Sequence, residues 1–264
     1  MSKRVTISTL NKMKAAGEKF VMITAYDATF ARLVSEAGAE TILVGDSLGM
    51  VLQGHDTTVP VSIDDMAYHT ACVSRAKPHS LIVADMPFMS YDTPENALRS
   101  GMALMQAGAQ MVKLEGGIWL SDTIEMLVER GVPVCAHLGL TPQSVNVFGG
   151  YRVQGRTPKE AKSILADAVE IQDAGASLLV LECIPAPLAA DITRKLDIPV
   201  IGIGAGGGTD AQVLVLHDLL GLSEHPAKFV ENFMENNGSV QESLSAFVDA
   251  VKSGRYPRDE HTYN

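Results

Sequence analysis

Eight short aliphatic runs punctuate the chain, at residues 20–26, 41–46, 80–85, 111–115, 132–137, 177–182, 198–204 and 213–218, and the stretches between most of them have helical spacing. Most of these runs are apolar throughout instead of alternating, so both faces of each strand need cover. Parallel strands joined by helices supply that cover. The pattern predicts an α/β fold, and eight such units favour a closed (βα)8 TIM barrel over an open doubly wound sheet. A chain of 264 residues with 46% hydrophobic content suits one barrel domain spanning 1–264. The eighth run, VLVLHD, fits a helix or a strand by pattern; its shortness, its β-branching and Gly221 beyond it favour a strand.

Helix punctuation agrees with this division. Residues 8–16 read as an extra N-terminal helix ahead of the first strand, a plug for the barrel floor. Ser62-Ile-Asp-Asp65 and Thr157-Pro-Lys-Glu160 have the form of capping boxes, and Thr93-Pro94-Glu95 puts a hydroxyl cap before a proline at the first helical position. Helices are expected over 229–236 and 240–253 to close the chain. Two connections are long for a barrel, 47–61 and 139–155, and loops of that length are usually lids or binding segments. The first reads as an active-site flap.

Charge and cysteine usage narrow the function classes. The formal net charge is -10 and no Lys/Arg block exceeds two residues, which disfavours nucleic acid and anionic membrane as partners. Cys72, Cys135 and Cys183 are widely spaced without a CxxC pair and read as buried thiols of a reducing compartment. The N-terminus lacks the apolar core of a signal peptide, and no run approaches the roughly 18 apolar residues of a spanning helix. A cytoplasmic protein is expected.

The strand tips carry the chemistry. Runs two to six end in Asp46, Asp85, Glu115, His137 and Glu182, and parallel barrel strands all aim their C-termini at one face. Carboxylates gathered there repel unless protons or a cation neutralise them. Asp46 and Asp85 are hard oxygen donors suited to Mg2+ or a similar ion, whose open positions fit a 2-oxo acid chelating through carboxylate and ketone. Lys113 and Glu115 share a face by strand parity, as do Cys135 and His137. Lys113 would hold the substrate carboxylate, His137 would support, and Glu182 is left for proton transfer. A lone carboxylate or histidine at a strand end is often only a cap or a satisfied core group, and a Lys113–Glu115 ion pair is the plain alternative for that lysine. Gly202-Ile-Gly204-Ala-Gly-Gly207 matches GxGxxG, but at the seventh strand and without a distal acid it reads as close backbone approach with room for substrate, not a dinucleotide site.

VGDSLGMVLQGHDTTVPVSIDDMAYH (44–69), ADMPFMSY (84–91), MVKLEGG (111–117), VCAHLGLTPQSVNVFGGYRVQGR (134–156), LLVLECIP (178–185) and IPVIGIGAG (198–206) together resemble the ketopantoate hydroxymethyltransferase family over essentially the whole chain. The resemblance implies a barrel of the phosphoenolpyruvate/pyruvate superfamily, Mg2+, a homodecamer, and transfer of a one-carbon unit from 5,10-methylenetetrahydrofolate to 3-methyl-2-oxobutanoate, giving 2-dehydropantoate for pantothenate synthesis. It further implies Asp46, Asp85 and Glu115 as metal ligands, Asp46, Ser47, Asp85 and Lys113 as substrate contacts, and Glu182 as proton acceptor. A Mg2+-dependent carbon–carbon lyase of the same superfamily is the nearest rival, and a silent barrel serving as an oligomeric scaffold is the rival from another class.

Overall fold

The computed structural model describes residues 4–264. Eight parallel strands pair in sequence order and close on themselves, β1 to β8: Phe20–Thr24, Thr41–Val44, Leu81–Asp85, Met111–Glu115, Val134–Gly139, Leu178–Glu182, Val200–Ile203 and Ala211–Leu214. Nearly every strand residue is buried, as expected for strands packed between barrel interior and helical jacket. The jacket is built from α2 (Ala28–Glu36), α4 (Ile63–Arg75), α5 (Pro94–Ala107), α6 (Ser121–Glu129), α8 (Pro158–Asp173), α9 (Ala186–Lys195) and α11 (Val240–Lys252).

The cap signals form as expected. Ser62 and Thr157 make reciprocal capping boxes with Asp65 and Glu160, and the Thr93 hydroxyl accepts from Asn96 N. The N-terminal helix α1 (Ile7–Ala16) lies at the end where the strands begin: Lys14 Nζ donates to Thr193 O at 3.0 Å and pairs with Asp210 Oδ2 at 2.8 Å, and Val5 N donates to His79 O. It closes the floor and leaves the opposite rim free. Among the described residues no helix is long and apolar enough to cross a membrane.

Four expectations need correction. The eighth strand ends at Leu214, and residues from Leu216 form a helical turn, α10 (Leu216–Leu219), because Leu216 N is drawn off the ladder to Thr24 Oγ1 at 2.8 Å. No helix forms over 229–236. There Asn232 Oδ1 accepts from Met234 N and Asn237 Nδ2 donates to Phe233 O, so side chains satisfy backbone groups that a helix would have used. The loop after β2 opens with a helical turn, α3 (Leu48–Val51), and that after β5 holds another, α7 (Val145–Phe148). Of the three thiols, Cys135 and Cys183 are buried but Cys72 is only half-buried.

Candidate active site

In a parallel ladder, registered partners point the same way, so the register decides which tips meet. Asp85 is paired with Lys113, and Glu115 with His137. Lys113 Nζ accordingly lies 2.6 Å from Asp85 Oδ1 and 3.7 Å from Glu115 Oε1, and His137 Nδ1 is 3.0 Å from Glu115 Oε1. Glu182 is registered with Gly139, two residues beyond the His137–Val180 pair, so its carboxylate stands one layer nearer the mouth. His137 Nε2 is 3.2 Å from Glu182 Oε2, but off the hydrogen-bond direction, and this buried nitrogen has no hydrogen-bond partner among the described residues.

Asp46 and Ser47 lie just past β2. Gly45 makes the turn possible, since a Cβ there would sit 2.8 Å from Ser47 Oγ. Asp46 N then donates to Asp85 Oδ2 at 3.0 Å, and Ser47 Oγ is 2.9 Å from the hydroxyl of the buried Tyr26. Asp46, Asp85, Lys113, Glu115 and His137 are each less than 6% exposed. All of them, with Ser47 and Glu182, line one open cavity of about 1230 Å3.

Burial decides the charge state of this cluster. The Asp46 carboxyl is pushed well above its ordinary range by burial, then by Asp85 and Glu115. Burial would do the same to Glu115, but the charge and hydrogen bond of His137, with Lys113, hold it below the usual range. His137 and Lys113 are displaced upward: burial opposes their charge, and the surrounding carboxylates outweigh it, bringing His137 to about 9. The pocket thus carries a surplus of negative charge, and Asp46 is the carboxyl where that surplus most favours keeping a proton.

The family model for ketopantoate hydroxymethyltransferase matches residues 4–259. The chain belongs to the ketopantoate hydroxymethyltransferase family. It is 59% identical over 262 residues to 3-methyl-2-oxobutanoate hydroxymethyltransferase 2 of Pseudomonas entomophila (strain L48), covering 98% of both chains. Similarity to the 3-methyl-2-oxobutanoate hydroxymethyltransferase of Shewanella frigidimarina (strain NCIMB 400) is 58% over 262 residues and 99% of both. Membership makes the protein a hydroxymethyltransferase. Among solved structures, 2,3-dimethylmalate lyase of the PEP mutase/isocitrate lyase superfamily superposes with a TM-score of 0.58 at 16% identity, covering 79% of this chain and 80% of that one. A phosphonopyruvate hydrolase solved with oxalate and Mg2+ gives 0.61 at 11%, covering 80% of each. At such identities the likeness shows the barrel type.

Within this hydroxymethyltransferase the donor chemistry can be tested against a hard cation. No three His, Cys, Asp or Glu side chains among the described residues form a ready metal cage. Both Glu115 oxygens are engaged, Oε1 by His137 and Oε2 by Gln143 N at 3.0 Å. Asp46 and Asp85 are adjacent and buried, and each carboxylate has lone pairs beyond the contacts it makes, although Asp85 Oδ1 already faces Lys113 Nζ and its Oδ2 accepts from Asp46 N. Glu115 is the third carboxylate of the set, its oxygens engaged much as those of Asp85 are.

Three buried residues of the site escaped sequence reasoning. Tyr26 and Tyr91 carry no charge at a strand tip, and Gln143 sits in the loop after β5, where only its polarity in an otherwise apolar or small-residue stretch could have marked it. Two of the GxGxxG glycines do serve close approach, by the protein's own packing: a Cβ on Gly202 would lie 2.7 Å from Thr209 Oγ1 and one on Gly204 2.7 Å from Phe229 Cδ1.

Proposed function

We propose that the protein transfers a hydroxymethyl group from 5,10-methylenetetrahydrofolate to 3-methyl-2-oxobutanoate, giving 2-dehydropantoate, with Mg2+ as cofactor. The observation that carries this reading is the convergence of Asp46, Asp85, Lys113, Glu115, His137 and Glu182 on one cavity in a member of this family. Asp46 and Asp85, with Glu115 beside them, would hold Mg2+, which when bound would supply Lewis acidity toward the ketone of the 2-oxo acid. Lys113 and Ser47 hold the substrate carboxylate. Glu182 removes the C3 proton, leaving that carbon nucleophilic toward the one-carbon unit, and the His137 ring, 3.2 Å away, attracts the carboxylate by charge. The opposite wall, Thr24, Ile203, Val213 and Val215, is mostly aliphatic and suits the branched tail of the acid. The cavity far exceeds a five-carbon acid, which leaves room for the folate. Arg152 and Arg156 line the mouth and match its acidic tail.

The enzyme acts as a cytoplasmic homodecamer in this reading, and exposed Phe88, Met89, Ile118, Trp119 and Val147 supply apolar surface for assembly. The test is deuterium exchange at C3 of 3-methyl-2-oxobutanoate with Mg2+ and no folate. Wild-type protein exchanges, forms product only when the folate is added, and stops with a chelator. Glu182→Gln slows exchange about 10²- to 10⁴-fold while binding Mg2+ normally. Full exchange in that variant removes Glu182 from the role, and product without folate favours the lyase.

A further inference from the structure

We infer that Gln143, which touches neither reacting carbon, is the positioning residue that sets the metal-binding face of Asp46. The inference rests on the Mg2+ and 2-oxo acid reading above. Gln143 follows Pro142 in a short 3-10 turn, Pro142–Ser144, directly after β5, and its side chain is 5% exposed. Every polar group it owns in the site is used. Nε2 donates to Asp46 Oδ2 at 2.8 Å and to Met86 O at 2.9 Å, Oε1 lies 2.6 Å from the Tyr91 hydroxyl, and the backbone N donates to Glu115 Oε2 at 3.0 Å. One residue therefore ties the tips of β2, β3 and β4 together.

The orientation of its amide follows from chemistry. The Met86 carbonyl can only accept, so the group facing it is the NH2, and the same NH2 must then face Asp46. Turning the amide over would set Oε1 against two acceptors. Tyr91 locks the other end: its single proton goes to Oε1, the nearer of its two acceptors at 2.6 Å against 3.2 Å for Glu115 O, while Glu115 N donates to the hydroxyl oxygen at 3.3 Å. A neutral donor thus occupies Oδ2 of Asp46 and brings no positive charge of its own to that carboxyl. A lysine in that place would have neutralised it and competed with a cation. Residues that hold a ligand without touching the metal are worth about 10- to 100-fold in metal affinity.

Gln143→Met keeps the side-chain length, keeps the backbone bond to Glu115 and removes both donors. Tyr91→Phe removes only the proton that locks Oε1. With Mg2+ as titrant in calorimetry at fixed pH, Gln143→Met is expected to weaken binding about 10- to 100-fold and Tyr91→Phe by less, about tenfold or below, with thermal unfolding recorded for both. The KM for the 2-oxo acid should rise along with the Mg2+ constant, a split that a merely structural lesion would not produce. A cooperatively folded Gln143→Met protein with wild-type Mg2+ affinity overturns the proposal. If that variant fails to fold, unchanged Mg2+ affinity in Tyr91→Phe overturns it instead. Wild-type protein that binds no Mg2+ and exchanges no C3 proton brings down the functional reading, and this proposal with it.

Discussion

His137 and His217 line the same cavity and are pushed in opposite directions. Burial favours the neutral form of both rings. At His137, on the arc from β2 to β6, Glu115 reverses that preference and the ring is raised to about 9. At His217, just past β8, burial prevails over Asp218 and Asp27, and the ring falls below its ordinary value. The arc from β2 to β6 collects charge and neutralises it only in part, whereas the wall from β7 through β8 to β1 offers Ile203, Val213, Val215 and Thr24 below His217 and Asp218. One side is rich in ionisable groups and the other is mostly aliphatic; under the proposed function they would receive the ionic head and the branched tail of the 2-oxo acid.

The sharpest way to break this comparison is on the charged arc. Asp85→Ala should leave Lys113 buried without its nearest partner and cost about 3–5 kcal/mol of stability, read from urea unfolding. The same variant, at a temperature where it stays folded, should lose Mg2+-dependent binding of the 2-oxo acid. Unchanged stability together with unchanged Mg2+ affinity would dissolve the distinction between the arcs. The aliphatic wall should answer differently. Val213→Ala is expected to cost about 1–3 kcal/mol in kcat/KM for the branched acid, less for an unbranched one, and nothing in Mg2+ affinity. A change in Mg2+ affinity there would mean the wall is not merely apolar.

The smallest effect is on pH dependence. A histidine depressed in the folded state binds its proton more readily when unfolded, so the contribution of His217 is present above about 6.5 and is lost as pH falls below it. His137 has the reverse sign in the metal-free protein: its contribution is present below about 6.5 and is lost as pH rises through about 9. His217→Gln should therefore flatten the decline in urea midpoint between pH 7 and pH 5, and a decline as steep as wild type would remove His217 from that window.

Much of the site was legible because it sits at strand tips. A strand ends where the aliphatic run ends, and the first titratable residue after it is visible locally, which is how Asp46, Asp85, Glu115, His137 and Glu182 stand out together. Strand parity also placed Lys113 beside Glu115 before any fold was known. Gln143 was not legible, because its worth lies in a hydrogen bond to a residue 97 positions away that exists only once the barrel has closed. The end of β8 was misjudged for a similar reason: VLVLHD fits a helix or a strand by pattern, and the capture of Leu216 N by Thr24 on β1 is visible only in the closed barrel.

Local chemistry along the chain determined the eight strands, the caps of α4, α5 and α8, and the set of acids delivered to one rim. Periodicity and capping act within a few residues, so a linear reading reaches them. The barrel's register decided the rest: that Lys113 meets Asp85 more closely than Glu115, that His137 lies between two carboxylates, and that Asp46 is the carboxyl pushed upward by its buried neighbours. Those outcomes depend on distances of a few ångströms between strands, where Coulomb energy and desolvation both change steeply, and closure of the barrel is what sets such distances.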